Sequence, residues 1–203
     1  MLEELALPYE LRMLPFPPRT RARDYLAVNP LGTVPLLVDG ELRMTESAAI
    51  CEYLAARYGA GAATVAVDDA DFGAYLNWLH FGEATLTFPQ TLILRYSRFE
   101  PEARRAPQVA QDYTRWFLAR LRGVDAVVSN QAFLCAQRFT AADVSVGYAL
   151  MLAQSLGLEP HFPIAVRSYW SRLQQRPAYT RALAAQARAA RDQGISATPA
   201  PEC

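Results

Sequence analysis

The stretch at residues 29–58 constrains the fold most, because it joins a hairpin signal to a helix start. The pair Asp39-Gly40 is typical of a two-residue β-turn, in which both central residues need a positive φ. Short apolar segments with strand character lie on both sides of this turn: residues 36–38, Leu42 and Met44. The sequence therefore predicts an antiparallel hairpin here.

A helix is predicted directly after the hairpin. Thr45 is a favourable N-cap residue, and Glu46 and Ser47 would occupy the first turn, where acidic and polar side chains are favourable. Apolar residues then recur at helical spacing: Ala49, Ile50, Tyr53, Leu54 and Tyr58. The stretch as a whole predicts a mixed unit of strands and helices.

Two features of this stretch carry polar groups that can bind a ligand. The bond before Pro35 can be cis, and Val34 keeps an N–H and a carbonyl that can pair with an extended peptide. The free N–H groups at the helix start attract a carboxylate, Ser47 adds a hydroxyl donor, and Glu46 can accept from an ammonium group. This set suits an α-amino acid group, which carries both charges, although Thr45-Glu46-Ser47 also fits an ordinary helix cap.

The order of these residues, N-P-L-G-T-V-P followed by D-G and T-E-S, closely resembles the glutathione transferase family. In that family a cis-proline loop leads into a hairpin, and a Glu/Gln-Ser pair at the next helix holds the γ-glutamyl end of glutathione. The resemblance implies that glutathione binds as co-substrate at four residues: Val34, Pro35, Glu46 and Ser47. It also implies the glutathione transferase fold, an α+β thioredoxin-like N-terminal domain followed by an all-α helical C-terminal domain.

The first residues are unusual for that fold. Residues 1–7 are typical of the last turns of a helix, and residues 9–13 are typical of a strand, with Pro8 between them. In the resembling family this helix follows a strand and a loop that carries the Tyr, Ser or Cys assisting the glutathione thiol. We therefore expect that first strand and loop to be missing, which leaves the catalytic residue unknown. A start codon assigned too late, or a shortened chain, would account for this.

Charge and composition argue against several classes of protein. The 203 residues include 20 Lys and Arg against 20 Asp and Glu, so no basic surface for nucleic acid is expected. Neither a secretory signal nor an apolar run near the roughly 18 residues of a membrane span is recognised. Three separated cysteines without a Cys-x-x-Cys pair argue against disulfides, structural zinc and dithiol chemistry. We expect a cytoplasmic protein without a metal ion.

Residues 59–63, Gly-Ala-Gly-Ala-Ala, resemble a flexible linker and are predicted to separate two domains. We expect a thioredoxin-like glutathione-binding domain over residues 1–59, an all-helical domain over 66–194 and a disordered tail over 195–203. Within the first domain, a second helix is predicted from Arg19, with its arginines exposed.

Helical patterns fill the second half of the chain. A long apolar segment over residues 68–98 contains Pro89, which should break or kink the helix. Pro101 is favourable as the first residue of the next helix. Thr140 and Asp143 are predicted to form a structural capping box ahead of a buried helix. Two further helices are predicted, over residues 164–176 and from 177 to about 193.

Two histidines and three cysteines are the candidates for reactive groups. His80 is interpreted as a packed or hydrogen-bonded helix residue rather than a general base, and His161 as exposed. Cys51 is expected in the apolar face of its helix rather than as a reactive thiol, and Cys135 in the core. Cys203 is terminal and has no assigned role.

Three aromatic residues, Trp78, Phe81 and Phe88, fit a core stripe on a long helix. In the resembling family this helix borders the pocket for a second, apolar substrate, so Phe81 is the candidate for lining it. The resemblance implies a homodimer that conjugates glutathione to a small apolar electrophile, as in detoxification. A non-catalytic binding or regulatory protein, or another glutathione-dependent enzyme (isomerase, dehalogenase or disulfide reductase), stays open.

Overall fold

The structure is a computed structural model and describes residues 1–196. It consists of an N-terminal part with a two-stranded sheet, followed by helices alone. The strands are β1 (Leu37–Asp39) and β2 (Leu42–Met44). The helices are α1 (Pro18–Arg21), α2 (Ser47–Tyr58), α3 (Phe72–His80), α4 (Phe88–Leu94), α5 (Pro107–Val128), α6 (Ala141–Ser155), α7 (Ile164–Gln174) and α8 (Pro177–Asp192).

The predicted hairpin is confirmed. Strands β1 and β2 are antiparallel, with Leu37 opposite Met44 and Asp39 opposite Leu42. Helix α2 follows at once, but its N-cap is Glu46 rather than the predicted Thr45. The difference is one residue, because the first intrahelical bond runs from the Ile50 N–H to the Glu46 carbonyl, at 2.8 Å.

The N-terminal segment departs from the prediction. Residues 1–7 make a single helical turn, in which the Leu5 N–H donates to the Met1 carbonyl at 3.1 Å. The predicted strand over residues 9–13 is wrong, since no neighbouring strand in residues 1–196 pairs with it. Instead the Gln193 side chain donates to the Leu11 carbonyl and accepts from the Met13 N–H, both at 2.8 Å.

The helix predicted from Arg19 is divided. The four residues of α1 are followed by a 3₁₀-helix, Arg23–Ala27, and Ala22 between them has a non-helical φ of −137°. Arg19 and Arg23 are exposed, as predicted.

The long helix predicted over residues 68–98 is present, but its hydrogen-bonding pattern changes along its length. Two π-helical segments, Phe81–Thr87 and Arg95–Phe99, flank α4. Pro89 has no N–H to donate, and the wider i→i+5 turn just before it lets the helix continue instead of breaking. Gly82 lies in the first π segment, where a Cβ atom would stand 2.4 Å from Ser145 Oγ, so this segment packs closely against α6.

The start of the next helix was assigned to the wrong proline. Pro101 precedes only a short 3₁₀-helix, Glu102–Arg104. Helix α5 begins at Pro107, in the first helical turn, where the missing N–H of proline is not needed.

The predicted capping box and buried helix are confirmed in α6. The Thr140 N–H donates to Asp143 Oδ2 at 2.8 Å. The Tyr169 hydroxyl donates to Asp143 Oδ1 at 2.8 Å, which connects α7 to the start of α6. Burial raises the pKa of the Asp143 carboxyl, although these donors favour its charged form. The main core is built around α6, which contributes the buried Leu150. Large buried side chains from neighbouring helical segments complete it: Leu86, Phe117, Leu121, Tyr169 and Trp170.

Residues 59–65 connect the two halves and are fixed by the second half. Arg138 donates to the carbonyls of Ala62, at 2.9 Å, and Thr64, at 2.6 Å. Across the same junction the Tyr75 hydroxyl donates to Glu52. The boundaries at residues 1–59 and 66–194 remain a prediction. Of the predicted tail, residues 197–203, with Cys203, lie outside the described residues.

Candidate functional site

The hairpin brings the two halves of the predicted site to one end of the sheet. Pro35 lies two residues before Leu37, and Glu46 lies two residues after Met44, the partner of Leu37. Continuing this antiparallel register therefore sets the proline loop beside the start of α2. The Val34–Pro35 peptide bond is cis, as predicted.

Val34 offers main-chain groups to a ligand. Its residue surface is 45% exposed. Within residues 1–196, neither its N–H nor its carbonyl has a hydrogen-bond partner. Such a pair of open groups can accept the edge of an extended peptide, in the manner of strand addition.

The first turn of α2 also has main-chain N–H groups without a hydrogen-bond partner among the described residues. No side chain of the described residues caps it. The helical hydrogen bonds begin with the Ile50 N–H, so the N–H groups of residues 47–49 are free to donate to a ligand. Glu46 is exposed and Ser47 is half-buried. The positive end of the helix dipole and the Ser47 hydroxyl favour an anion, while the Glu46 carboxylate favours a cation.

Two tyrosines attach α2 to the hairpin turn, a connection that sequence reasoning missed. The Tyr53 hydroxyl donates to Asp39 Oδ2 at 2.7 Å, and the Tyr58 hydroxyl donates to the same oxygen. These donors lower the pKa of Asp39, with the Tyr58 bond as the largest cause. The bond to Asp39 raises the pKa of Tyr53 to about 12. The tyrosines are recognisable in the sequence only as members of the helical apolar pattern.

The loop ahead of Val34 is built around a buried side chain, that of Asn29, which is 3% exposed. Its Nδ2 donates to the Thr33 carbonyl at 2.9 Å, and its Oδ1 accepts from the Leu31 N–H at 3.1 Å. The Tyr25 hydroxyl also donates to the Thr33 carbonyl, at 2.7 Å. The Asn-Pro-x-Gly sequence signals a turn, but nothing in it identifies Tyr25 as a partner.

The aromatic residues proposed for the long helix divide into two groups. Trp78 and Phe81 pack on the main core with ring centroids 5.0 Å apart, as predicted. Phe88 is 58% exposed, so its assignment to the core stripe was wrong. A cavity of 340 Å³ lies beside Trp78 and is lined by Asp71, Gln131 and Cys135, among others, without Phe81. The role of Phe81 in a second-substrate pocket remains a prediction.

The histidines lie at the surface, and the two described cysteines lie in apolar surroundings. His80 is exposed, which corrects its predicted packed position, and His161 is exposed as predicted. Cys51 is half-buried beside a smaller apolar cluster that includes Ala55, Tyr75 and Leu79, and desolvation raises its pKa, as it does for the buried Cys135. Residues 1–196 contain no group of three or more His, Cys, Asp or Glu side chains arranged to hold a metal ion. None of the helices in the same range combines the length and apolar character needed to cross a bilayer.

A hairpin preceded by a cis-proline loop, a helix with an open start and a large helical second half define the thioredoxin-like fold with a helical extension. The family model for the glutathione S-transferase N-terminal domain matches residues 1–57. Among curated proteins, glutathione S-transferase 3 of Schizosaccharomyces pombe is 27% identical over 76% of this chain and 68% of its own. GstA of Escherichia coli O157:H7 is 28% identical over 80% of this chain and 78% of its own.

Solved structures agree with these matches. The Phanerochaete chrysosporium glutathione transferase URE2P6, in complex with oxidized glutathione, is 29% identical and has a TM-score of 0.80 over 93% of this chain and 89% of its own. Ure2p5 of the same organism, cocrystallized with 1-(S-glutathionyl)-2,4-dinitrobenzene, is 25% identical and has a TM-score of 0.79 over 93% and 87%. Residues 1–57 thus match the N-terminal domain of the glutathione S-transferase family, and the curated relatives and solved structures extend this similarity over most of the chain.

Proposed function

We propose that this protein binds glutathione at the end of the hairpin and conjugates its thiol to a small apolar electrophile. The observation that carries the proposal is the register of β1 and β2, because it joins the cis-Pro35 loop to the open start of α2. The ligands of the two Phanerochaete proteins support it, since one is oxidized glutathione and the other is a glutathione conjugate.

The open groups of the site are complementary to an extended tripeptide. The unpartnered N–H and carbonyl of Val34 suit the cysteinyl backbone, because one donates and the other accepts. The start of α2 and the Ser47 hydroxyl suit the γ-glutamyl carboxylate, and the Glu46 carboxylate suits the ammonium group beside it. Together these contacts would hold the thiol at a fixed distance from the hairpin.

The proposed reaction is a substitution by the glutathione thiolate. The sulfur forms a bond to an electrophilic carbon, the leaving group departs with the electron pair of its own bond, and the thiol proton passes to solvent. Positioning of the thiolate beside an apolar pocket, with Phe81 as its candidate wall, would supply the acceleration. The residue that favours the thiolate is not assigned.

We further propose a cytoplasmic homodimer that serves detoxification, with α2 and the long helix over residues 72–99 near the contact. Phe88, 58% exposed on that helix, supports a partner surface there, because a large apolar side chain is costly in water. Sedimentation equilibrium tests the dimer: a monomer at micromolar concentration would contradict it.

Calorimetry with glutathione, followed by turnover of 1-chloro-2,4-dinitrobenzene, tests the function. Binding with formation of 1-(S-glutathionyl)-2,4-dinitrobenzene and chloride supports a transferase. Binding without turnover of this compound or of any other substrate supports the non-catalytic alternative. Consumption of a haloalkane, an isomerisable substrate or a glutathione disulfide would indicate one of the other glutathione-dependent enzymes. Absence of binding would overturn the proposal.

A further inference from the structure

The carbonyl oxygen of Thr33 receives two strong hydrogen bonds from side chains. The Tyr25 hydroxyl donates at 2.7 Å and Asn29 Nδ2 donates at 2.9 Å. A carbonyl oxygen has two lone pairs, so both of its acceptor positions are used. This peptide is therefore held more firmly than an ordinary loop peptide, which bonds to water.

The Thr33 carbonyl belongs to the same peptide group as the Val34 N–H. A peptide bond is planar, and this one is trans, because the cis bonds of the described residues are Phe16–Pro17 and Val34–Pro35. The N–H therefore points opposite to the carbonyl. Two donors that fix the Thr33 oxygen also fix the direction in which the Val34 N–H faces the solvent.

The two donors are themselves held in place. The Asn29 N–H donates to the Tyr25 carbonyl at 2.8 Å, and the Asn29 carbonyl accepts from Gly32 at 2.9 Å, so the loop closes on Asn29. Gly32 has a φ of +60°, and a Cβ atom at this position would stand 2.8 Å from Arg19 Cβ. The loop therefore has little room to rotate the Thr33–Val34 peptide.

We propose that Tyr25 and Asn29 are positioning residues, which orient the Val34 N–H toward the main chain of a bound thiol peptide. The inference rests on the proposed glutathione function, and it assigns a role in binding to side chains that do not touch the ligand. Preorientation of a donor lowers the entropy lost when the complex forms, so its loss should weaken binding rather than slow the chemical step.

The test compares Tyr25→Phe with a matched control, Tyr9→Phe. Each variant removes one hydroxyl donor, because the Tyr9 hydroxyl donates to Glu3 at 2.8 Å, far from the hairpin along the chain. Asn29→Asp is a second variant, which removes the other donor. If the Asn29→Asp protein does not fold, because Asn29 is buried, the test rests on Tyr25→Phe. The readouts are the ¹⁵N order parameter of the Val34 amide without ligand, the Kd for glutathione, and the KM and kcat where turnover occurs.

We expect Tyr25→Phe to lower the Val34 order parameter and to raise the glutathione Kd and KM about three- to tenfold, with kcat unchanged at saturation. The Tyr9→Phe control should match the wild type in all of these. An unchanged order parameter, or a lowered one with an unchanged Kd, overturns the inference. A wild-type protein that fails to bind glutathione overturns the proposed function instead, and the order parameter still decides whether the two donors hold the peptide.

Discussion

The carboxylate of Glu4 accepts two hydrogen bonds from the guanidinium group of Arg176, each 2.7 Å long, across 172 residues of sequence. The same guanidinium lies 3.6 Å from the centroid of the Phe139 ring. Charged hydrogen bonds in this bidentate geometry are among the stronger ones in proteins, and a stacked guanidinium is held in a single orientation. The N-terminal turn is thereby attached to the start of α8.

We expect Glu4→Gln to lower the free energy of unfolding by about 1–2 kcal/mol, because one bidentate charged contact is lost at a partly buried position. Glu10→Gln is the matched control. Glu10 also pairs with an arginine, Arg12, but both side chains are more than two-thirds exposed, at 75% and 81%. Urea denaturation should leave the control unchanged within experimental error. Equal losses in both variants would contradict the structural role of Glu4.

The contact between Asp39 and its two tyrosines predicts a pH dependence at both ends of the scale. Since the folded-state pKa of Asp39 is lowered, its contribution to stability is present above the ordinary carboxyl value and is lost as the pH falls below it. Since the pKa of Tyr53 is raised from 10.0 to about 12, the bond it donates is fully present below pH 10 and is lost as the pH rises toward 12.

The ¹³Cζ resonance of Tyr53, assigned by comparison with Tyr53→Phe, reports this titration directly. In Asp39→Asn the midpoint should move down toward the ordinary value, because the negative acceptor is gone. A Tyr53 midpoint near 10 in the wild type would show that the hydrogen bond does not persist in solution.

Gly32 and Gly40 permit a matched test of packing in the proline loop. Both have positive φ, at +60° and +58°, but a Cβ atom at Gly40 would meet nothing within 4 Å, whereas one at Gly32 would overlap Arg19 and Leu26. Gly40→Ala should therefore lower the free energy of unfolding by about 1 kcal/mol, through backbone strain alone. Gly32→Ala should cost about 2–4 kcal/mol because overpacking adds to the same strain. Chemical denaturation measures both, and equal losses would contradict the close approach at Gly32.

Gln137 is a non-glycine residue with a positive φ, +51°. It is exposed, and its side chain donates a hydrogen bond to Gln131 Oε1 at 3.2 Å. Gln137→Gly should raise the free energy of unfolding by up to about 1 kcal/mol, since glycine removes the left-handed penalty. The same change at Gln111, exposed on α5, should lower it by about 1 kcal/mol because helix propensity is lost. Effects of the same sign would refute this reading of the backbone.

The hydroxyl of Ser47 is the most direct test of the proposed binding site. Ser47→Ala should raise the Kd and KM for glutathione by the equivalent of about 1–3 kcal/mol, the loss of a hydrogen bond to a charged group. Ser129→Ala, at an exposed position after α5, is the control and should have no effect. If calorimetry gives the same Kd for Ser47→Ala as for the wild type, the site assignment is refuted.

Features set by neighbouring residues could be predicted from the sequence. The hairpin depends on Asp39-Gly40 and the strands beside it, and the capping box depends on Thr140 and Asp143, three positions apart. For such features the interacting groups are fixed by local geometry, so residue types at the right spacing are sufficient.

Features that depend on distant partners or on a change of helical period could not be predicted. The Glu4 contact with Arg176 has no local signal. The π-helical turn before α4 contains more residues per turn than an α-helix. A period of about 3.6 residues that is continued through this turn therefore assigns the residues after it to the wrong face of the helix. This explains why Phe88 was assigned to the core, although Trp78 and Phe81, which precede most of the widened turn, were placed correctly.

The amide of Gln193 has a consequence for how this molecule would be digested. This side chain, just after the last helix, makes two hydrogen bonds to residues 9–13 of the kind that a neighbouring strand would make. Loss of order near the C-terminal end of α8 would therefore also release the N-terminal segment. A carboxypeptidase that removed Gln193 would leave the Leu11 carbonyl and the Met13 N–H to water. Trypsin should then cut faster after the exposed Arg12, because the backbone on both sides of it is less restrained. Trimming at one end would therefore prepare the other for cleavage.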